Sequence, residues 1–188
     1  MRPKIACVLQ PSETYGNDYV CRLFEGLSAQ VKDFEFIVLR GSRWSIWWSK
    51  LELFDPAIRG DLYYFDLDTI ITGNLADILS VRRLTVLSDF NRLEKMASGV
   101  MFIPEHEREP IWKHWIADPE RHMQQWRGHG DQGYLGQFWE ASADRWQDVL
   151  PGQIVSYKNH WRKKENISDA RVVCFHGRPK CRELNWTL

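Results

Sequence analysis

The sequence predicts an α/β fold with a mainly parallel central sheet. Three observations carry this reading: an apolar run KIACVL at 4–9, a helical repeat behind it, and a second apolar run FEFIVL at 34–39. Val20, Leu23, Phe24, Leu27 and Val31 recur at helical spacing after an Asn17 or Asp18 cap. Strand, helix and strand in this order form a βαβ unit, which needs a right-handed crossover and parallel strands. At 188 residues the chain suits one substantial domain, 1–188, better than two.

The next element is WWSKLELF at 47–54, a short helix that Asp55 and Pro56 stop, because the residue before proline is pushed out of the helical region. DLYYFDLDTIITGNLADIL then holds a strand at 61–65, an acidic pair, a further apolar run, a turn at Gly73 and Asn74, and a short helix. LTVLSDF at 84–90 and GVMFIP at 99–104 read as strands, with helices around 108–117 and 131–140. QIVSY at 153–157 and VVCFH at 172–176 are late strands. GHGD at 128–131 and the polar stretch at 159–169 read as loops. There is no internal repeat or linker.

Composition narrows the function. Hydrophobic residues make up 44% and charged residues 27%, which is ordinary for a globular protein, and no apolar run is long enough to span a bilayer. The 25 basic and 25 acidic residues cancel, which gives no electrostatic reason to expect nucleic-acid or membrane binding. MRPKIACVLQ enters a strand pattern at once, without the apolar core of a signal peptide, and the four cysteines form no CxxC pair. A cytoplasmic protein with reduced thiols is expected. Of the ten tryptophans, the group at 44, 47 and 48 is expected to be core more than sugar platform.

Asp66 and Asp68 flank Leu67 where a strand leaves the core, at the carboxyl edge where open α/β sheets bind ligands. In an extended strand both carboxylates point to one side, so one cation can use both. Oxygen-only ligation suits Mg²⁺ or Mn²⁺ completed by water and phosphates, which implies a diphosphate partner. An isolated pair of this kind is commonly two solvated turn acids. Here it sits between LYYF and TII, where uncompensated burial is costly, and that favours a functional pair.

At these residues the sequence resembles the GT-A glycosyltransferases, a Rossmann-like nucleotide-diphospho-sugar transferase fold, and family 8 among them. YYFDLDTIITGNLADIL is similar to the family's DxD region; SGVMFIP at 98–104, GDQGYLG at 130–136 and VVCFHGRPK at 172–180 follow in the family's order. The resemblance implies a sugar donor activated as a nucleotide diphosphate, UDP above all, and Mn²⁺ or Mg²⁺ at Asp66 and Asp68 with a late histidine. It places Lys50, Asp66, Ser98, Gly99, Gly177 and Lys180 on the donor, and Asp131 and Gln132 by the transferred sugar as the catalytic pair. It also implies retention of anomeric configuration.

The chain departs from the family pattern near its end. Cys174 stands where the metal-binding histidine belongs, and His176 lies two residues on, facing the same way in an extended strand. His176 is therefore the expected third metal ligand. Cys181 and Arg182 replace the usual Pro and Trp after the lysine. The acceptor stays open between a carbohydrate, a lipid-linked group and a protein, and the oligomeric state is not legible.

Two other functions fit part of the pattern. FDLDT also resembles the nucleophile motif of haloacid-dehalogenase-type phosphatases, but that motif belongs on a first strand, and a βαβ unit precedes it here. A relative that binds nucleotide-sugar or a partner without transfer is the second alternative. Taken singly, Lys50 reads equally well as a solvated helix position, Asp131 as a helix cap and His176 as a structural histidine.

Overall fold

The computed structural model describes residues 2–41 and 43–186. The opening unit forms as expected. Strand β1 (Lys4–Leu9), helix α1 (Asn17–Gln30) and strand β2 (Glu35–Arg40) follow one another, with β1 and β2 parallel from Lys4 opposite Glu35 to Leu9 opposite Arg40. The buried stripe of α1 is Tyr19, Leu23 and Leu27, at i, i+4 and i+8. That centring turns Phe24 out, leaving it 45% exposed with its ring against Phe34 and Phe36. Gly16, not Asn17 or Asp18, is the N-cap, so the Asp18 carboxylate lies in the first turn near the positive end of the helix dipole.

Strands β3 (Leu62–Phe65), β5 (Thr85–Ser88), β6 (Met96–Ile103) and β7 (Asp144–Arg145) complete a six-stranded sheet in the order β2-β1-β3-β6-β5-β7. Only β6 runs against its neighbours, so the sheet is mainly parallel. All of β3 is buried, as its unbroken apolar sequence requires of a central strand. A second sheet joins β4 (Thr69–Ile71), β9 (Val172–Cys174) and β8 (Ile154–Ser156) in that order. β9 is antiparallel to β4 and parallel to β8, so it carries the chain end back to the segment after β3.

Helices α2 (Glu105–Ala117), α3 (Pro119–Gln125), α4 (Gly130–Trp139) and α5 (Trp146–Val149) follow, with a 3₁₀ helix at Ile46–Phe54 in place of the expected short helix and shorter ones at Ile78–Ser80, Trp161–Lys163 and Cys181–Leu184. Helix α3 lies where no element was expected, while α4 is the helix expected at 131–140, starting one residue early. α3 forms without an apolar repeat, because Asp118 accepts a hydrogen bond from the Arg121 N–H and Pro119 fixes the first turn. α4 begins inside GHGD, where Gly130 takes φ +64°.

Alternation along the strands divides the interior into two cores. Ile5, Cys7, Leu9, Tyr63 and Phe65 face α1 and the small sheet, whereas Ala6, Leu62 and Tyr64 face the 3₁₀ helix, α2 and α4. Trp48, Trp112, Trp115, Trp139 and Trp146 are buried, each ring worth about 2–3 kcal/mol of apolar burial. Of the group expected in the core, Trp44 is half-buried and Trp47 is 44% exposed. The two sheets meet at Asp66–Leu67–Asp68, between β3 and β4, and the cavity opens there.

Candidate active site

The acidic pair sits on a turn rather than in an extended strand. The Thr69 N–H and hydroxyl both donate to the Asp66 carbonyl, at 3.2 and 2.7 Å, and Leu67 is buried beneath. The turn, not strand alternation, presents both carboxylates to one cavity of about 720 Å³. Lys50, Ser98, Gly99, Asp131, Gln132, His176 and Gly177 line the same cavity, so chain segments far apart in sequence converge as expected.

One wall is a buried network centred on Lys50. Its ammonium lies 3.0 Å from Asp66 Oδ1 and 3.2 Å from Asp131 Oδ2, and donates to the Ser98 hydroxyl at 3.1 Å and carbonyl at 3.3 Å. Ser98 in turn donates to Asp131 Oδ2 at 2.6 Å. The Tyr64 hydroxyl donates to Asp66 Oδ1, and Lys50 lies over the Tyr64 ring. Burial alone would discharge Lys50, but Asp131 and Asp66 reverse that and hold the ammonium above its ordinary range. Burial pushes the Asp66 carboxyl up, and Lys50 only partly opposes it.

A second set of contacts is centred on Asp68. Lys180 forms an ion pair with its Oδ2, and the Tyr15 hydroxyl donates to the same oxygen at 2.8 Å. Lys180 reaches this position because Phe175 N–H bonds to the Asp68 carbonyl at 2.9 Å, extending the β4–β9 pairing beyond Cys174, and the chain then turns at Gly177 with φ +70°. A Cβ at Gly177 would come 2.8 Å from Lys158 Nζ. Lys180 therefore grips the acidic turn although Cys181 and Arg182 replace the family's Pro and Trp. Arg182 pairs with Asp18 of α1 instead and ties the chain end down.

His176 lies beyond the end of β9. Its Nε2 is 2.6 Å from the Ser156 hydroxyl, and its ring stacks on Phe90 at 5.4 Å. Burial and then Lys158 hold it below the usual histidine range. Cys174 is buried, and burial followed by Asp68 and Asp66 pushes its thiol well up. Gln132 donates its amide to Asp89 Oδ2 at 3.2 Å.

Asp66 Oδ2 and Asp68 Oδ1 have no hydrogen-bond partner among the described residues. A Cβ at Gly99 would stand 3.4 Å from Asp66 Oδ2, so glycine there keeps that oxygen accessible. Three carboxyl groups, Asp66, Asp68 and Asp131, stand with two ammonium groups, Lys50 and Lys180. These features fit a hard divalent cation that takes two carboxylate oxygens and completes its shell from water and phosphates. Among the described residues no three His, Cys, Asp or Glu side chains are grouped to hold a metal by themselves.

No family model and no curated protein matches the sequence. Solved structures do match. An active-site mutant of LgtC superimposes with a TM-score of 0.69 at 12% identity, over 94% of this chain and 88% of that one. GlyE from Streptococcus pneumoniae TIGR4, a glycosyltransferase, gives 0.63 at 14% identity over 98% of this chain, which spans 60% of GlyE. A glycosyltransferase involved in glycosylation of the PBCV-1 major capsid gives 0.59 at 11%, over 93% of both chains. The chain has the GT-A fold. Another LgtC structure is described as a galactosyltransferase with donor and acceptor sugar analogues bound. The phosphatase alternative finds no support in this architecture, where the acidic turn follows β3, between β1 and β6.

Tyr15, Tyr64, Asp89, Phe90 and Ser156 are site residues that sequence reasoning missed. Tyr15 lies in a polar turn and Tyr64 in an apolar strand, so neither pattern distinguishes them. Among the described residues no helix is long and apolar enough to cross a membrane.

Proposed function

We propose that this chain is a glycosyltransferase of the family-8 kind, moving a sugar from a nucleotide-diphosphate donor, UDP above all, to an acceptor hydroxyl with retention. The Lys50–Asp66–Ser98–Asp131 network, gathered at one cavity with Asp68, which Lys180 pairs, in a fold shared with solved glycosyltransferases, carries this reading.

Asp66 and Asp68 would hold Mn²⁺ or Mg²⁺, with His176 as third ligand on exchanging its bond to Ser156. The cation, when bound, supplies charge neutralisation for the departing diphosphate. Lys180 is the diphosphate's protein partner, a compact point charge that can turn from Asp68 to a phosphate oxygen. Gly177 leaves the backbone bare beside it.

Lys50 holds Asp66 and Asp131 as an oriented pair, so the donor meets a preorganised wall instead of rearranging one. Asp131, fixed by Lys50 and Ser98, faces the sugar, and Gln132 beside it faces the developing positive charge at the anomeric carbon.

The test is release of UDP from a panel of UDP-sugars with Mn²⁺. Slow metal-dependent hydrolysis of at least one donor, absent in Asp131→Asn, is expected. Tight UDP binding without turnover of any donor would instead favour a domain that only binds nucleotide-sugar.

A further inference from the structure

Each side chain of the acidic pair has a lysine on one of its oxygens, Lys50 on Asp66 Oδ1 and Lys180 on Asp68 Oδ2. The two lysines are held very differently. The Lys50 ammonium has two carboxyl groups, from Asp66 and Asp131, together with the hydroxyl and the carbonyl of Ser98. Releasing it would break all of these contacts. The Lys180 ammonium has one carboxylate, the Phe175 carbonyl at 3.4 Å, and the face of Tyr15 with the ring centroid at 5.2 Å. Of the two, Lys180 is the exchangeable cation.

The fixed part of Lys180 is its backbone. Its N–H donates to Glu183 Oε2 at 3.2 Å, its carbonyl accepts from the Glu183 N–H at 2.9 Å, and Arg182 in the same 3₁₀ turn is tied to Asp18 of α1. Beyond that anchor a flexible carbon stem ends in a point charge, so the ammonium can move while the turn stays. Tyr15 keeps Asp68 in place meanwhile, through its own 2.8 Å bond to Oδ2.

The Lys180 and Asp68 side chains are only 15% and 13% exposed, so water and salt screen little around them. A divalent cation at Asp68 Oδ1 would share one carboxylate with an ammonium, and like charges a carboxylate's width apart repel. A diphosphate changes the balance. Its oxygens give Lys180 a second anion to pair with and free Asp68 for the metal.

We propose that Lys180 is a built-in counter-ion that holds the metal's place at Asp68, so that the free protein binds a divalent cation weakly and a nucleoside diphosphate admits the cation by drawing Lys180 away. The proposal rests on the donor-site reading above. Lys180 then opposes metal binding before the donor arrives and supports donor binding afterwards, which are opposite signs for one side chain. By linkage, the metal strengthens diphosphate binding by the same factor as the diphosphate strengthens metal binding.

The experiment titrates Mn²⁺, up to a few millimolar, into nucleotide-free wild type, Lys180→Met and Lys180→Arg, counting free Mn²⁺ from its electron paramagnetic resonance signal. Calorimetry gives the UDP affinity of each in Mn²⁺, and the thermal midpoint reports folding. Nucleotide-free Lys180→Met is expected to bind Mn²⁺ about tenfold more tightly than wild type, while its UDP affinity in Mn²⁺ falls about tenfold. Lys180→Arg, which keeps the charge, should bind Mn²⁺ as weakly as wild type. Lys180→Gln makes the same neutral comparison if the methionine variant does not fold. Nucleotide-free Mn²⁺ affinity that is unchanged or lower in the neutral variant overturns the proposal, even where UDP affinity falls. A wild type that binds no UDP, with or without Mn²⁺, means that the donor-site reading has failed, and the counter-ion role falls with it.

Discussion

The Lys50 ammonium lies 3.2 Å from Asp131 Oδ2, joining the 3₁₀ helix before β3 to the first turn of α4. Both side chains are almost fully buried, so each is the other's ion-pair partner away from water. Removing one leaves an unpaired ion in a region of low polarity, whereas removing both charges leaves only lost hydrogen bonds.

Lys50→Met is therefore expected to destabilise the protein by about 3 kcal/mol, discounted for the partial exposure of Asp66, and to weaken UDP binding. Adding Asp131→Asn to it should recover part of the stability and none of the binding. Urea unfolding and calorimetry on both variants check this; a double variant no more stable than the single one would contradict the coupling.

Tyr15→Phe removes the 2.8 Å hydrogen bond to Asp68 while keeping the ring over which Lys180 sits. Stability should fall by about 1 kcal/mol or less, with metal-dependent UDP affinity falling about fivefold as Asp68 loses its orientation. Calorimetry with and without Mn²⁺ separates the two effects. Equal losses with and without the metal would mean that Tyr15 acts on the base or ribose instead.

At Gly130, φ +64° is a conformation that side chains adopt at a cost, and a Cβ would come 2.6 Å from Trp47 Nε1. Gly130→Ala should cost about 1–2 kcal/mol. Pairing it with Trp47→Ala should relieve the collision and leave the backbone strain. The thermal midpoints of the two variants, compared with that of Trp47→Ala alone, give the division.

Three histidines should make the fold acid-sensitive. Burial holds His114, His160 and His176 below the ordinary value of 6.5, with His122 adding to this at His114 and Lys158 at His176. Below 6.5 the unfolded chain binds protons that the folded chain does not, so their contribution is present above that pH and is lost as pH falls through the depressed folded values. Unfolding free energy should drop between pH 7.5 and 5.5, and His176→Gln should drop less. Equal slopes would show that His176 does not take part.

The opening βαβ unit, the buried strand before the acidic pair and the order of the later motifs were legible because each rests on local periodicity or spacing. The convergence of Lys50, Asp66, Ser98 and Asp131 followed from resemblance, but their mutual pairing did not, since no pattern in WWSKLELF says that Lys50 points inward. Helix α3 was illegible for the opposite reason: PERHMQQ has no apolar stripe and is held by its cap and proline. Phe24 failed as a core position because helical spacing alone does not say where the stripe is centred. His176 stays a reading that geometry neither joins to the aspartates nor removes from their cavity.

The central claim is that Asp66 and Asp68 bind a cation together with a nucleoside diphosphate. Titration calorimetry of UDP into wild type and Asp68→Asn, each with and without Mn²⁺, tests it most directly. The account predicts that Mn²⁺ strengthens UDP binding to wild type and gives little or no gain in Asp68→Asn. Equal UDP affinity in wild type with and without Mn²⁺, or a full Mn²⁺ gain in Asp68→Asn, would contradict it.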